Sequence, residues 1–276
     1  IDKIYEKNKI QYDWGDWFEI EPDINSYHIW KSNISGSKSS AITRYIGNDE
    51  FKLVNNKSSI EGLKPLDTQQ ICLFDALIDD SIKLITITGC AGSGKTLCSM
   101  TYALSQIIKN VDLKLICMKP TEIVTASKFF GAVPGSIDEK YAPFLESFFI
   151  AGKKAISDPA YFKLLQERGR IQFKPIEFTR GDTYDNTILI VDECQNLAWH
   201  PLKTVLTRLG ENSKAIVLGD ITQKDVRRNE KSGFELLKAA PSFRDSLITT
   251  NIHLENDYRS NISRLVSIID TEVWDE

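Results

Sequence analysis

The stretch GCAGSGKT, Gly89 to Thr96, sets Gly89, Gly94, Lys95 and Thr96 in the pattern G-x-x-x-x-G-K-[ST], with Gly92 between them. Each residue type answers a need of anion binding. Glycines let the backbone curl so that successive N–H groups converge on phosphate oxygens. A helix starting at the loop turns the positive end of its dipole on the same place. Lys95 has the reach for β- and γ-phosphates, and the Thr96 hydroxyl suits a magnesium ion. Cys90, Ala91, Ser93 and Leu97 complete the run. A bare turn is the plainer reading. The apolar LITIT (84–88) before the loop and the amphipathic 96–110 after it favour the phosphate cradle.

Carboxylates suited to act on a nucleotide follow. TILIVDE (187–193) ends an apolar run with Asp192 and Glu193. An aspartate there holds magnesium in P-loop enzymes, and a neighbouring glutamate is placed to polarise water as a general base. Solvated acids at a strand end are the bland alternative, and the upstream cradle weighs against it. AIVLGDITQ (215–223) repeats the design with Asp220 and Gln223. If its strand lies between the loop strand and the Asp192 strand, Gln223 faces the γ-phosphate, to orient water or sense phosphate loss.

These residues need a scaffold. Short β-branched runs at 84–88, 113–118, 187–193, 215–220 and 249–254 alternate with helix-like segments, which predicts an α/β fold whose parallel sheet is covered by helices on both faces. A last helix is expected near 260–270. Residues 1–60 read differently, as a small β-rich appendage, with 61–276 as the P-loop domain. The stretch 127–182, with GAVPG and RGDTY, reads as a loop-rich insertion.

The chain has 276 residues, 42% hydrophobic and 26% charged, which suits one large globular domain with an appendage. A net charge of −4 does not advertise nucleic acid, though a local groove can still be basic. No apolar run approaches the ~18 residues of a membrane span. Five cysteines without metal-ligand spacing predict a reducing, cytoplasmic setting. Because residue 1 is isoleucine rather than methionine, processing of the chain or its excision from a longer protein is expected.

The segments GCAGSGKT, KPTEIVTASKFFGAVPGSIDEKYAPF, TRGDTYDNTILIVDECQNL, KTVLTRLGENSKAIVLGDITQKD and SGFELL together resemble the PhoH family of ATPases over roughly 63–270. The resemblance implies a RecA-like core related to superfamily 1 helicases, with ATP and Mg²⁺ as cofactors. It implies Gln70 as an adenine contact, Arg259 at the γ-phosphate, and Arg208 as an arginine acting within a subunit or across a ring interface. RNA, single-stranded, is the implied partner, with self-assembly into a hexameric ring. The N-terminal stretch resembles the connector of PIN–PhoH fusions, where a PIN ribonuclease lies upstream. Three positions depart from the family pattern. Asp182 follows Arg180 and Gly181 where the family has a second arginine, Cys194 replaces an alanine, and Lys119 replaces an arginine.

Two rival readings are an ATP-driven assembly switch acting on proteins without nucleic acid, and a silent nucleotide-binding module. The intact Lys95, Asp192 and Glu193 oppose the second. Arg227 and Arg228 read as solvated surface, His200 as a helix-start residue and His253 as a strand residue. Trp14, Trp17 and Trp30 read as appendage core or docking face, and Phe129, Phe130 and Tyr141 as anchors of the GAVPG turn.

Overall fold

A computed structural model describes residues 2–11, 21–34, 39–120, 142–176, 179, 181, 183–224, 230–263 and 265. Trp14, Trp17, Phe129, Phe130, Tyr141, Arg180, Asp182, Arg227 and Arg228 lie outside the described residues, as does most of the expected 260–270 helix.

Six parallel strands make the main sheet: β5 (Leu84–Gly89), β6 (Lys114–Lys119), β7 (Ile171–Pro175), β8 (Thr187–Val191), β9 (Lys214–Gly219) and β10 (Thr249–Leu254). Their order is β10-β5-β9-β8-β6-β7, all neighbours parallel. β9 therefore does separate the loop strand from the Asp192 strand. Every residue of β8 and β9 is buried, as strands covered on both faces must be. Ile188, Ile190, Ile216 and Leu218 face one core; Leu189, Val191 and Val217 face the other. That is the period-two alternation of a strand.

The first core is roofed by α2 (Thr68–Ile78), α3 (Lys95–Lys109), α4 (Glu146–Ala155) and α5 (Pro159–Glu167). The second lies under α6 (Trp199–Leu206), α7 (Gly233–Ala239) and α8 (Pro241–Arg244). The outcome is the expected RecA-like α/β sandwich.

The structure corrects one expectation. The described part of the supposed loop-rich insertion contains α4, α5 and β7. Phe148, Ala151 and Gly152 bury one stripe of α4, and Gly152 exists so that the Phe162 ring of α5 can lie against its backbone; a Cβ there would meet that ring at 2.6 Å. β7 ends in Pro175 because it is an edge strand, where a missing N–H costs nothing.

The N-terminal residues add α1 (Asp2–Lys7) and a four-stranded antiparallel sheet ordered β1-β4-β3-β2, from β1 (Lys9–Gln11), β2 (Tyr27–Lys31), β3 (Ser40–Tyr45) and β4 (Glu50–Leu53). Trp30 is part of its packing, edge-on to the buried Phe51 at 5.5 Å with its indole N–H on Thr43 Oγ1. This sheet is fastened to α2. The buried Arg44 pairs with Asp75 (3.1 Å) and Asp79, and Tyr27 donates to Asp75 at 2.8 Å.

Candidate nucleotide site

At the C-terminal end of β5 the chain enters the glycine loop. Gly92 and Gly94 adopt φ of +84° and +93°, the left-handed region that favours glycine. Gly92 has a second reason: a Cβ there would meet Asp257 Oδ1 at 2.1 Å. Gly94 caps the start of α3, so the loop's N–H groups and the helix N-terminus face one space.

Lys95 Nζ curls back onto the loop, donating to Gly89 O at 2.5 Å and Cys90 O at 2.8 Å. Burial pushes its pKa down, opposed chiefly by the negative charge of Asp220 and then Asp192. Thr96 Oγ1 donates to Asp192 Oδ2 at 3.2 Å. Asp192 is buried, and that burial raises its pKa against the pull of Lys119. A cation beside it would relieve the cost of burying that charge. Asp220 Oδ2 is buried with no hydrogen-bond partner among the described residues. A threonine hydroxyl and an aspartate at contact distance are the hard oxygen donors that a magnesium ion takes. The residues present fit both a polyphosphate and its metal.

Glu193 stands at the mouth of β8 with φ +57°. Its Oε2 accepts from Gln195 Nε2 at 2.7 Å, and Gln195 Oε1 accepts the backbone N–H of Asp220 at 3.0 Å. Gln195 thus ties the end of β8 to the end of β9. Lys119, at the tip of β6, lies 3.4 Å from Glu193 Oε1 and 3.9 Å from Asp192 Oδ2. Gln223 closes the short 3-10 turn Ile221–Gln223 after Asp220 and borders the same cavity.

A cavity of about 920 Å³ gathers Ala91–Leu97, Asp192, Glu193, Asp220, Gln223 and Arg259. Gly89 and Cys90 form the loop's entry, and the Cys90 thiol donates to Glu255 O at 3.3 Å. Arg259 is exposed, with its stem against Gly92. Gln70 is buried at the cavity wall. Its Nε2 donates to Ser93 O (3.1 Å) and its Oε1 accepts from Leu66 N–H (2.9 Å), so the amide braces the loop. Arg208 is not brought to this site. It follows α6 beside Tyr184, whose N–H bonds its carbonyl, at the edge of the sheet where β8 begins. A strand's length, about 17–20 Å, separates that edge from the loop.

Sequence reasoning did not assign Gln195, or Lys119 as a neighbour of both carboxylates. The signal for Gln195 was its place two residues after Glu193, on the turn that leaves the strand. His200 and His253 sit in α6 and β10 as expected.

The PhoH-like protein family model matches residues 62–270. The chain belongs to the PhoH family. It is 31% identical over 252 residues to protein PhoH2 of Bacillus subtilis strain 168, covering 88% of this chain and 56% of that protein. It is 34% identical over 183 residues to protein PhoH of Escherichia coli K12, covering 66% and 47%. The PhoH-family chain thus spans about half the length of these curated relatives. Among solved structures it is similar to the Pif1 helicase of Candida albicans (TM-score 0.39, 16% identity, 75% of this chain and 43% of that one). It is also similar to the Bacteroides Pif1 helicase in complex with ADP-AlF3 and single-stranded DNA (TM-score 0.37, 17% identity, 75% and 46%). No helix among the described residues is long and apolar enough to cross a membrane.

Proposed function

We propose that this PhoH-family chain is a magnesium-dependent ATPase that couples hydrolysis to binding or unwinding RNA. The observation that carries the hydrolytic part is the meeting of Lys95, Thr96, Asp192, Glu193 and Gln223 around one cavity, beyond the C-terminal ends of the three adjacent strands β5, β8 and β9. Lys95 would exchange its bonds to the loop carbonyls for β- and γ-phosphate oxygens. Thr96 and Asp192 would hold Mg²⁺, which supplies positive charge against the phosphate oxygens when bound. Glu193, oriented by Gln195, would take the proton of the attacking water, and Gln223 would position that water or report loss of the γ-phosphate. Arg259 would neutralise charge developing in the transition state. Gln70 keeps one N–H and one lone pair for the edge of adenine.

The RNA half of the proposal rests on the family resemblance in the sequence. So do assembly into a ring and an upstream PIN ribonuclease, whereas a cytoplasmic setting rests on the cysteine usage and the division of the chain near residue 60 on the change in sequence texture there. Arg208, at the far edge of the sheet, fits a ring only as a residue offered to a neighbouring subunit. Phosphate release measured with and without single-stranded RNA tests the whole. The expectation is stimulation by RNA that fades steeply with salt, and loss of turnover in Glu193→Gln. Turnover indifferent to RNA would favour the protein-directed switch, and turnover unaffected by Glu193→Gln would reject the assigned base.

A further inference from the structure

The cavity at the glycine loop does not end with the residues suited to phosphate. Its volume, about 920 Å³, lies at the upper end of the ~300–1,000 Å³ typical of small-molecule sites, more than a polyphosphate chain and a metal would fill. Past Thr96 large aliphatic side chains enter its walls, among the charged Lys64, Glu146 and Lys154. Leu63 and Leu66 border it from the segment leading into α2, Leu97 from the first turn of α3, and Ile150 from α4.

The α4 wall is built by helix geometry. Phe148, Ala151 and Gly152 pack α4 down against the core. Ser147, Ile150 and Lys154, three and four residues apart, form the adjoining stripe and border the cavity. The wall is also held in place. Lys119, which reaches Glu193 and Asp192, donates to Ser147 Oγ at 3.3 Å. Ile150 and Leu66 are 49% and 65% exposed, large aliphatic side chains left uncovered where they border the cavity. Close by, Gln70 offers the polar group.

We propose that Ile150 of α4, with Leu66 and Leu97, forms the subsite for the base and ribose of the bound nucleoside triphosphate. This rests on the nucleotide reading given above. A purine is flat and apolar on its faces and polar at its rim. Branched aliphatic side chains beside one amide match that chemistry, whereas a polyphosphate would gain nothing from them. α4 thereby belongs to the nucleotide site even though it lies outside the loop and carboxylate motifs.

Calorimetric titration of the full chain with magnesium ADP and, separately, magnesium pyrophosphate tests the assignment. Ile150→Asp places a charge against the base, and Ile150→Trp fills the slot; both change a half-exposed position, leaving Phe148 and Ala151 packed. Both variants are expected to weaken ADP at least tenfold and leave pyrophosphate within twofold of the parent chain. ADP binding that is unchanged in both, or ADP and pyrophosphate weakened in parallel, would overturn the subsite. If the parent chain binds neither probe, the nucleotide reading itself falls.

Discussion

The Thr96 hydroxyl donates to Asp192 Oδ2 at 3.2 Å, joining the first turn of α3 to the end of β8 across 96 positions of sequence. That contact follows from the strand order. β8 lies two strands from β5, with β9 between them, so their C-terminal ends open on the same crevice. Asp192→Asn keeps the shape and removes the charge that a metal would meet. Phosphate release at saturating magnesium is expected to fall by about a hundredfold or more, the scale of losing one preorganised electrostatic contact. Thr96→Val should raise the magnesium concentration needed for half-maximal turnover. A magnesium titration followed by phosphate release reads both, and a parental curve for Asp192→Asn would remove that residue from the metal site.

Gln195 is 1% exposed and spans Glu193 and the Asp220 N–H. Gln195→Ala leaves a buried N–H without its acceptor, which costs about 1–3 kcal/mol. The same change removes one of two contacts, to Gln195 and to Lys119, that orient the Glu193 carboxylate. The urea midpoint and turnover should therefore fall together in Gln195→Ala. Gln195→Glu keeps an acceptor but sets a second carboxylate beside Glu193, so its turnover should fall further than its stability. Equal turnover in the parent and Gln195→Glu would show that Glu193 is not held by this contact.

Much of this arrangement was legible in the sequence because strand and loop motifs are local. LITIT, TILIV and AIVLG announce buried strands by composition alone, and glycine followed by Lys95-Thr96 announces the cradle. Two kinds of feature were not legible. One is the α4–α5–β7 insertion, where the flanking turn residues masked a helical stripe at Phe148, Ala151 and Gly152. The other is any contact set by strand order, such as Lys119 of β6 lying between Asp192 and Ser147. Arg208 shows the same limit from the other side. Its position after α6 looks near the motifs in sequence but lies at the far edge of the sheet, because β9 must be re-entered from its N-terminal end.

Two glycines with the same backbone requirement separate strain from collision. Gly169 has φ +67° and open surroundings, its nearest neighbour atom 3.9 Å from an added Cβ. Gly169→Ala should cost only the left-handed penalty, about 1–2 kcal/mol, with nucleotide affinity unchanged. Gly92→Ala adds contacts at 2.1 Å to Asp257 Oδ1 and 2.7 Å to Arg259 Cγ. The loop must then shift, and ADP binding is expected to fall beyond detection even where the fold survives. Calorimetry and circular dichroism on the two variants check this; ADP affinity retained in Gly92→Ala would show that the loop can be rebuilt around the contact.

The capping box of α7 gives a pH dependence that can be worked out in sign. Ser232 Oγ accepts the Glu235 N–H at 3.2 Å, and Glu235 Oε2 accepts the Ser232 N–H at 2.7 Å and bonds Lys224 Nζ at 2.8 Å. Burial alone would raise the Glu235 pKa, but Lys224 and the Ser232 N–H outweigh it and bring it down to about 2 from an ordinary 4.5. A carboxyl whose pKa is lower folded than unfolded stabilises the fold fully above the unfolded value. That stabilisation is lost as pH falls from about 4.5 towards about 2. Glu235→Gln should therefore lower the urea midpoint at pH 7, and its gap from the parent should narrow steadily below pH 4.5. A gap of constant size between pH 7 and pH 3 would show that Glu235 acts by packing alone. α7 also places Phe234 against Gly219, where a Cβ would meet the ring at 2.7 Å. Loosening this cap should therefore reach β9, and turnover in Glu235→Gln should decline at pH 7 in step with the lost stability.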